Sequence, residues 1–235
     1  LILLFRDQKL SPGEQVAFTR HFGAVEAHPL GSRRGLDEHP EILVLENRPG
    51  QPGARNDFWH SDISFSEMPP LGSVLHAIDA PAPYGDTMFC NMYLAYETLS
   101  AGMKAYVEAA RGVHDSHDPR GHSQSYKGMI LQEKEGAERE ITAHSMVRPH
   151  PVTGRKSLFI GVHTREIRGM ATAEARMLLL DLLEHATQRQ FVYRHCWQNH
   201  DIVMWDNRCT LHRGRPYDLI KLRQLRRCST EVQAA

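Results

Sequence analysis

The sequence predicts a mainly β fold, a sandwich or barrel with helices on its flanks. Three observations carry this. Short runs rich in Val, Ile and aromatic residues recur at residues 41–45, 73–77, 87–91, 157–160, 190–193, 202–205 and 222–229, and such runs read as strands. Turn residues separate them, at Arg48-Pro49-Gly50, Pro69-Pro70, residues 81–86 and Val152-Thr153-Gly154. Helical periodicity is confined to a few stretches, too few to alternate with the strands as a parallel sheet requires.

Each helix has a local reason. In Ser11-Pro12-Gly13-Glu14, Ser11 can cap, Pro12 suits the first helical position and Glu14 completes a capping box. That helix should run to about His21 and end at Gly23. A second is expected from near Ser100, carrying Met103, Tyr106 and Val107 inward. A third, from Thr172 to about Ala186, aligns Leu178, Leu179, Leu182 and Leu183 in one apolar stripe. The opening residues, Leu1 through Arg6, read as a buried strand. Residues 115–140 are polar and weakly periodic, and we expect a mobile loop or lid there. No repeat, low-complexity segment or linker divides residues 1–235, so a single domain is expected, with an incomplete N-terminus because the chain does not begin with Met.

The chain has 28 basic and 28 acidic residues. Without a basic surplus or charge block, nothing points to nucleic acid or a membrane surface. No apolar run approaches the roughly 20 residues of a bilayer span. Cys90, Cys196, Cys209 and Cys228 are scattered, with no Cys-x-x-Cys pair, which suits reduced thiols in the cytoplasm. His is over-used, with 15 residues.

Spacing makes some of these histidines informative. In Trp59-His60-Ser61-Asp62, His60 and Asp62 stand two apart, so on a strand an imidazole and a carboxylate share one face. A polar turn after the 202–205 strand leads to His212. Two His and one carboxylate on one side of an ion leave open positions, the facial arrangement of non-haem Fe(II) oxygenases; zinc accepts the same ligands. Arg223, Leu225 and Arg227 alternate on the last strand. Arginines four residues apart lie about 13 Å apart at roughly 3.3 Å per residue. Facing a barrel interior they would require anions, and guanidinium pairs bidentately with carboxylates. A solvated basic strand with its faces reversed is the alternative.

Beyond these patterns, the chain resembles the family of 2-oxoglutarate-dependent dioxygenases typified by taurine dioxygenase and 2,4-dichlorophenoxyacetate dioxygenase. The resemblance rests on Asn56-Asp57-Phe58-Trp59-His60-Ser61-Asp62, Gly85-Asp86-Thr87, residues 147–155 and the stretch from Trp205-Asp206-Asn207-Arg208 through Arg227. It implies a double-stranded β-helix (jelly-roll) core wrapped by helices. It implies that His60, Asp62 and His212 bind Fe(II), and that Arg223 holds the far carboxylate of 2-oxoglutarate with help from Thr87. It implies that Arg227 meets the acidic group of a small anionic substrate, and that the enzyme consumes O2, releases succinate and CO2, and hydroxylates the substrate beside a heteroatom. A homo-oligomer, dimer or tetramer, is expected on the same ground.

The substrate class is expected to be an aryloxyalkanoate. Residues 158–163, 184–189 and 211–215 look like the phenoxyacetate branch, and His163 stands where the taurine pattern has an aromatic residue. His28 and Asn56, by contrast, match positions near the sulfonate in the taurine branch, which keeps an alkylsulfonate as the alternative. Ile63 and His163 are expected to line the rest of the substrate pocket. A zinc hydrolase or a non-catalytic binding barrel would carry the same three ligands; the hydrolase leaves Arg223 and Arg227 unexplained.

Overall fold

The computed structural model describes residues 1–26, 35–50, 56–116 and 139–231. Along these residues the strands are β1 (Ile2–Phe5), β2 (Val25–Glu26), β3 (Gly35–Leu36), β4 (His39–Asn47), β5 (Gly72–Asp79), β6 (Thr87–Asn91), β7 (Arg111–Asp115), β8 (Ile141–Ser145), β9 (Val147–Pro149), β10 (Lys156–Leu158), β11 (Thr164–Ile167), β12 (Val192–His195), β13 (Ile202–Asp206), β14 (Thr210–Gly214) and β15 (Arg223–Thr230). The helices are α1 (Pro12–Arg20), α2 (Met92–Glu97), α3 (Ala101–Ala109) and α4 (Thr172–Ala186).

All strand pairs are antiparallel. The largest sheet runs β1-β13-β5-β15-β4-β3, with β2 also on β15. A second sheet runs β12-β6-β14, and a third runs β11-β7-β8. This is the mainly β, jelly-roll architecture with flanking helices that the sequence led us to expect.

Two apolar layers explain how the sheets stack. Leu75, Ala77, Val203, Trp205 and Leu225 from the large sheet pack with Phe89 of β6 and with Trp197. Successive strand residues face opposite ways, so Cys90 and Leu211 of the second sheet join the other layer, with Met92, Ala95, Val107, Met146, Ala175 and Leu182. The second sheet is therefore sandwiched between the large sheet and the helices. Burying a Leu or Phe side chain in such a layer contributes about 1.5–3 kcal/mol. The functional side chains described below emerge within the first layer.

The helix starts follow their caps. Ser11 and Glu14 form the expected capping box, with Glu14 N donating to Ser11 Oγ (3.3 Å) and Ser11 N to Glu14 Oε2 (2.8 Å). Ser100 caps α3 through Met103 N (3.2 Å). The stripe of α4 turns Leu182 fully inward, with Leu178, Leu179 and Leu183 packed at its margins.

Several expectations need correction. Among the described residues β1 pairs only with β13, at the sheet edge, so Leu1 and Leu3 are exposed rather than buried. Tyr106 points outward; Val107 is the fully buried residue of α3. Residues 190–193 begin as a 3-10 turn (Arg189–Phe191), and the strand starts at Val192. Of the expected lid, Asp115 is the last residue of β7, Ser116 N donates to Glu140 O (3.0 Å) and Arg139 pairs with Asp115; residues 117–138 lie outside the described ones. Cys90, Cys209 and Cys228 are buried free thiols, and Cys196 is an exposed one. Among the described residues, no helix is long and apolar enough to cross a membrane.

Candidate metal and anion site

Two histidines far apart in sequence are brought face to face by one backbone bridge. His60 N donates to His212 O (3.0 Å) and His212 N donates to His60 O (2.9 Å). In an antiparallel pair, residues directly opposite project to the same side, so the two rings sit with centroids 4.2 Å apart. His212 lies on β14, in register with Phe89 of β6, and the expected polar turn precedes that strand at residues 207–209. Phe58 O, 2.9 Å from His60 Nδ1, can only accept. The His60 proton is therefore on Nδ1, and its Nε2 lone pair is free to ligate.

Asp62 completes the group, though not from a strand. It opens a turn closed by Ser66 N donating to Ile63 O (3.0 Å). Ile63 has φ of 47°, a left-handed conformation that is costly for a β-branched residue. The turn directs the carboxylate at both imidazoles: Asp62 Oδ1 is 4.0 Å from His60 Nε2 and 3.8 Å from His212 Nε2. All three ligand atoms lie within 4.8 Å of one another.

The second layer orients this carboxylate. Ser73 Oγ donates to Asp62 Oδ2 (2.8 Å) and Arg227 Nη1 to Oδ1 (2.7 Å). Burial tends to raise the Asp62 carboxyl, but the Arg227 guanidinium, then His212 and His60, and last the Ser73 hydroxyl outweigh it and hold it well below the usual carboxylate range. Burial lowers His60, and takes His212 down to about 3. The site thus offers two neutral imidazoles and one carboxylate, buried beside Trp205 (4.7 Å from the His212 ring) and Phe89. A divalent cation fits this donor set and would keep a net positive charge toward its open side.

β15 carries both arginines inward, on the face of buried Leu225, so the reversed-face alternative fails. Arg223 is at the far end. Its Nη2 donates to Gly85 O (2.9 Å) and its guanidinium lies 5.6 Å from the Tyr217 ring. Burial pulls it down to about 10, yet it remains cationic at neutral pH. Gly85 has φ of 83°, and a Cβ there would stand 2.7 Å from Arg223 Nε; the position needs glycine twice over. Two residues on, Thr87 Oγ1 accepts from Trp197 Nε1 (3.0 Å). Arg227 Nε is buried with no hydrogen-bond partner among the described residues.

The expected pocket residues are dispersed around this centre. Ile63 adjoins Asp62 in the turn. His163 is buried edge-on to Phe65 (5.0 Å), and is held well below its ordinary value by burial and then by the charges of His60 and Arg165. Asn56 is exposed; its carbonyl accepts from Gly214 N (2.7 Å), two residues past His212. His28 lies outside the described residues. Sequence reasoning missed Ser73 and Trp197, which carry no local motif, and the Phe58 carbonyl, whose residue lies in the 56–62 motif but whose backbone role has no sequence signal.

Residues 1–229 match the family described as taurine catabolism dioxygenase TauD, TfdA family. The chain is 40% identical over 248 residues to the alpha-ketoglutarate-dependent 2,4-dichlorophenoxyacetate dioxygenase of Cupriavidus pinatubonensis, covering 97% of this chain and 84% of that protein. It is 34% identical over 238 residues to the (S)-phenoxypropionate/alpha-ketoglutarate-dioxygenase of Sphingobium herbicidovorans, covering 94% and 79%. The crystal structure of AAD-2 in complex with Mn(II) and N-oxalylglycine superposes with a TM-score of 0.80 at 35% identity, covering 99% of this chain and 83% of that one.

Proposed function

We propose, from the premise that the chain belongs to the TauD/TfdA dioxygenase family, that it is an Fe(II)- and 2-oxoglutarate-dependent dioxygenase acting on an aryloxyalkanoate. The observation that carries the proposal is the convergence of His60, Asp62 and His212 within 4.8 Å, on the interior face to which β15 presents Arg223 and Arg227.

In this reading His60 Nε2, Asp62 and His212 Nε2 hold the metal. Iron with 2-oxoglutarate supplies the activation of O2, giving succinate, CO2 and a substrate hydroxylated beside its ether oxygen. The chain's own residues do the rest. Arg223 neutralises the far carboxylate of 2-oxoglutarate, and Thr87 donates to it. A bidentate guanidinium–carboxylate pair is strong in such a dry place. Arg227 spends one N–H on Asp62 and has others for the substrate's carboxylate; clamping that end orients the target C–H toward the metal. Ile63 and His163 shape the wall around the aryl group. Phe89 and Trp205 keep water from the His212 side. The hydroxylated ether then breaks into a phenol and an oxoacid. A zinc hydrolase would leave Arg223, partly buried and, among the described residues, hydrogen-bonded only to the Gly85 carbonyl, without a role.

The test is a panel of aryloxyalkanoates and short alkylsulfonates, with succinate and phenol or sulfite as readouts. Phenol release strictly dependent on Fe(II), O2 and 2-oxoglutarate supports the proposal. Sulfite release from a sulfonate, with no phenol from any aryloxyalkanoate, would reassign the substrate to the sulfonate class.

A further inference from the structure

We propose that Trp197 is a positioning residue for the co-substrate: its indole N–H fills an acceptor site on Thr87 and so commits the Thr87 hydroxyl proton to the far carboxylate of 2-oxoglutarate. The inference rests on the function proposed above.

The argument starts from donor and acceptor inventories. A threonine hydroxyl has one proton and two acceptor lone pairs, and an indole N–H can only donate. Trp197 Nε1 lies 3.0 Å from Thr87 Oγ1, and both side chains are buried, so water does not compete. Thr87 must therefore be the acceptor in this pair, and its own proton is left to point elsewhere. A carboxylate is a pure acceptor, and a hydroxyl already accepting a hydrogen bond is polarised into a better donor. Without the indole, the hydroxyl is a free rotor whose proton no longer has a defined direction.

The indole is itself held rigid. Its ring meets His195 edge-on, with centroids 4.4 Å apart at 90°. His195 Nε2 lies 3.2 Å from Asp201 Oδ2, and both residues are fully buried. The same oxygen accepts from Arg6 Nη1 (2.6 Å) and Gln198 N (2.9 Å). The segment from His195 to Asp201 is thus closed by one carboxylate and tied to the chain start. Thr87 is fixed from the other side: it is the first residue of β6, in register with His195 on β12 and Gly214 on β14. The donor and acceptor are positioned by separate elements, so the 3.0 Å contact is a product of the fold rather than of a flexible side chain.

Trp197→Phe removes the N–H and keeps a ring against His195. Benzothienylalanine at position 197 swaps only the N–H for sulfur and serves should the phenylalanine variant not fold. The readout is the 2-oxoglutarate Kd of the Fe(II)-loaded protein under anaerobic conditions, with Tm measured alongside. Losing one hydrogen bond of this kind should weaken 2-oxoglutarate binding on the order of 3- to 10-fold. Thr87→Val should weaken it at least as much, and adding Trp197→Phe to Thr87→Val should change nothing further. An unchanged Kd on loss of the N–H, or effects that multiply in the double variant, would overturn the inference, because Trp197 would then act by packing alone. If Thr87→Val itself leaves the Kd unchanged, the inference falls with the role of Thr87. A protein with no affinity for 2-oxoglutarate refutes the proposed function as well.

Discussion

Gly85→Ala probes the proposed co-substrate anchor, Arg223, without replacing a charged residue. Gly85 has φ of 83°, and its missing Cβ would fall 2.7 Å from Arg223 Nε, 3.3 Å from Arg223 Cδ and 3.2 Å from Tyr217 Cβ. The backbone term alone costs about 1–2 kcal/mol, because an L side chain is strained there. The steric term acts on the guanidinium. The approach is too short for carbon and nitrogen, so the Arg223 stem must withdraw and its donation to the Gly85 carbonyl is lost. Hydrogen bonds to charged groups contribute about 1.5–3 kcal/mol. A displaced Arg223 should therefore raise the KM for 2-oxoglutarate by roughly 10- to 100-fold. The assay is succinate release against 2-oxoglutarate concentration at saturating primary substrate, with the primary-substrate KM as an internal control at the Arg227 end. A variant that loses Tm yet keeps the wild-type KM for 2-oxoglutarate would refute the placement of that anchor at Arg223.

Three further outcomes are expected. His212→Ala should abolish turnover and sharply weaken Fe(II) binding by calorimetry; near-normal metal affinity would remove His212 from the ligand set. Arg227→Ala should keep 2-oxoglutarate binding by its visible absorption band, but raise the primary-substrate KM and uncouple succinate from product formation; loss of 2-oxoglutarate binding instead would exchange the two arginine roles. Burial takes His114 down to about 3 from an ordinary 6.5, so the unfolded chain binds the extra proton first. Stability is then complete above pH 6.5 and falls on acidification toward pH 3, by about 1.4 kcal/mol per pH unit inside that window. Tm measured against pH should show a shallower acid slope in His114→Gln, and an identical slope in both proteins would contradict the burial argument.

Signals that are local in sequence were legible, and those made by tertiary pairing were not. Ser11 and Glu14 sit three apart and satisfy each other within one turn, so α1 could be read directly. The β15 alternation of Arg223, Leu225 and Arg227 was readable because a strand has period two. The resemblance supplied the partnership of His212 with His60, whereas the bridge that enforces it spans the chain and has no local signature. Asp62 was correctly grouped with His60 by a strand argument that does not apply, since a turn at a strained Ile63 does the aiming. α2 was missed because its Met92, Tyr93, Ala95 and Tyr96 are all buried, which leaves no polar face to reveal a helical period. The strands β7, β8, β9 and β11 were missed because their sequences, RGVHD, ITAHS, VRP and TREI, mix in Gly, Pro and polar or charged residues and form no Val-, Ile- and aromatic-rich run. Trp197 and Thr87 are 110 residues apart, and no spacing rule connects them.

β15 is hydrogen-bonded along both edges, to β4 on one side and β5 on the other. Arg223 and Arg227 therefore share one regular ladder along β4, while the β5 edge shifts register between Gln224 and Leu225. An insertion between them would reverse the facing of every later residue on the strand, and a loop change elsewhere cannot slide one guanidinium relative to the other. In the proposed function, the separation between the two acids is set by this strand. Freedom lies with the walls that are not strands: the turn at Ile63 and the connection carrying His163, between β10 and β11. A chain built this way can exchange the body of its substrate while the acid handle stays the same, and directed evolution toward bulkier aryl groups should collect its substitutions there and leave β15 untouched.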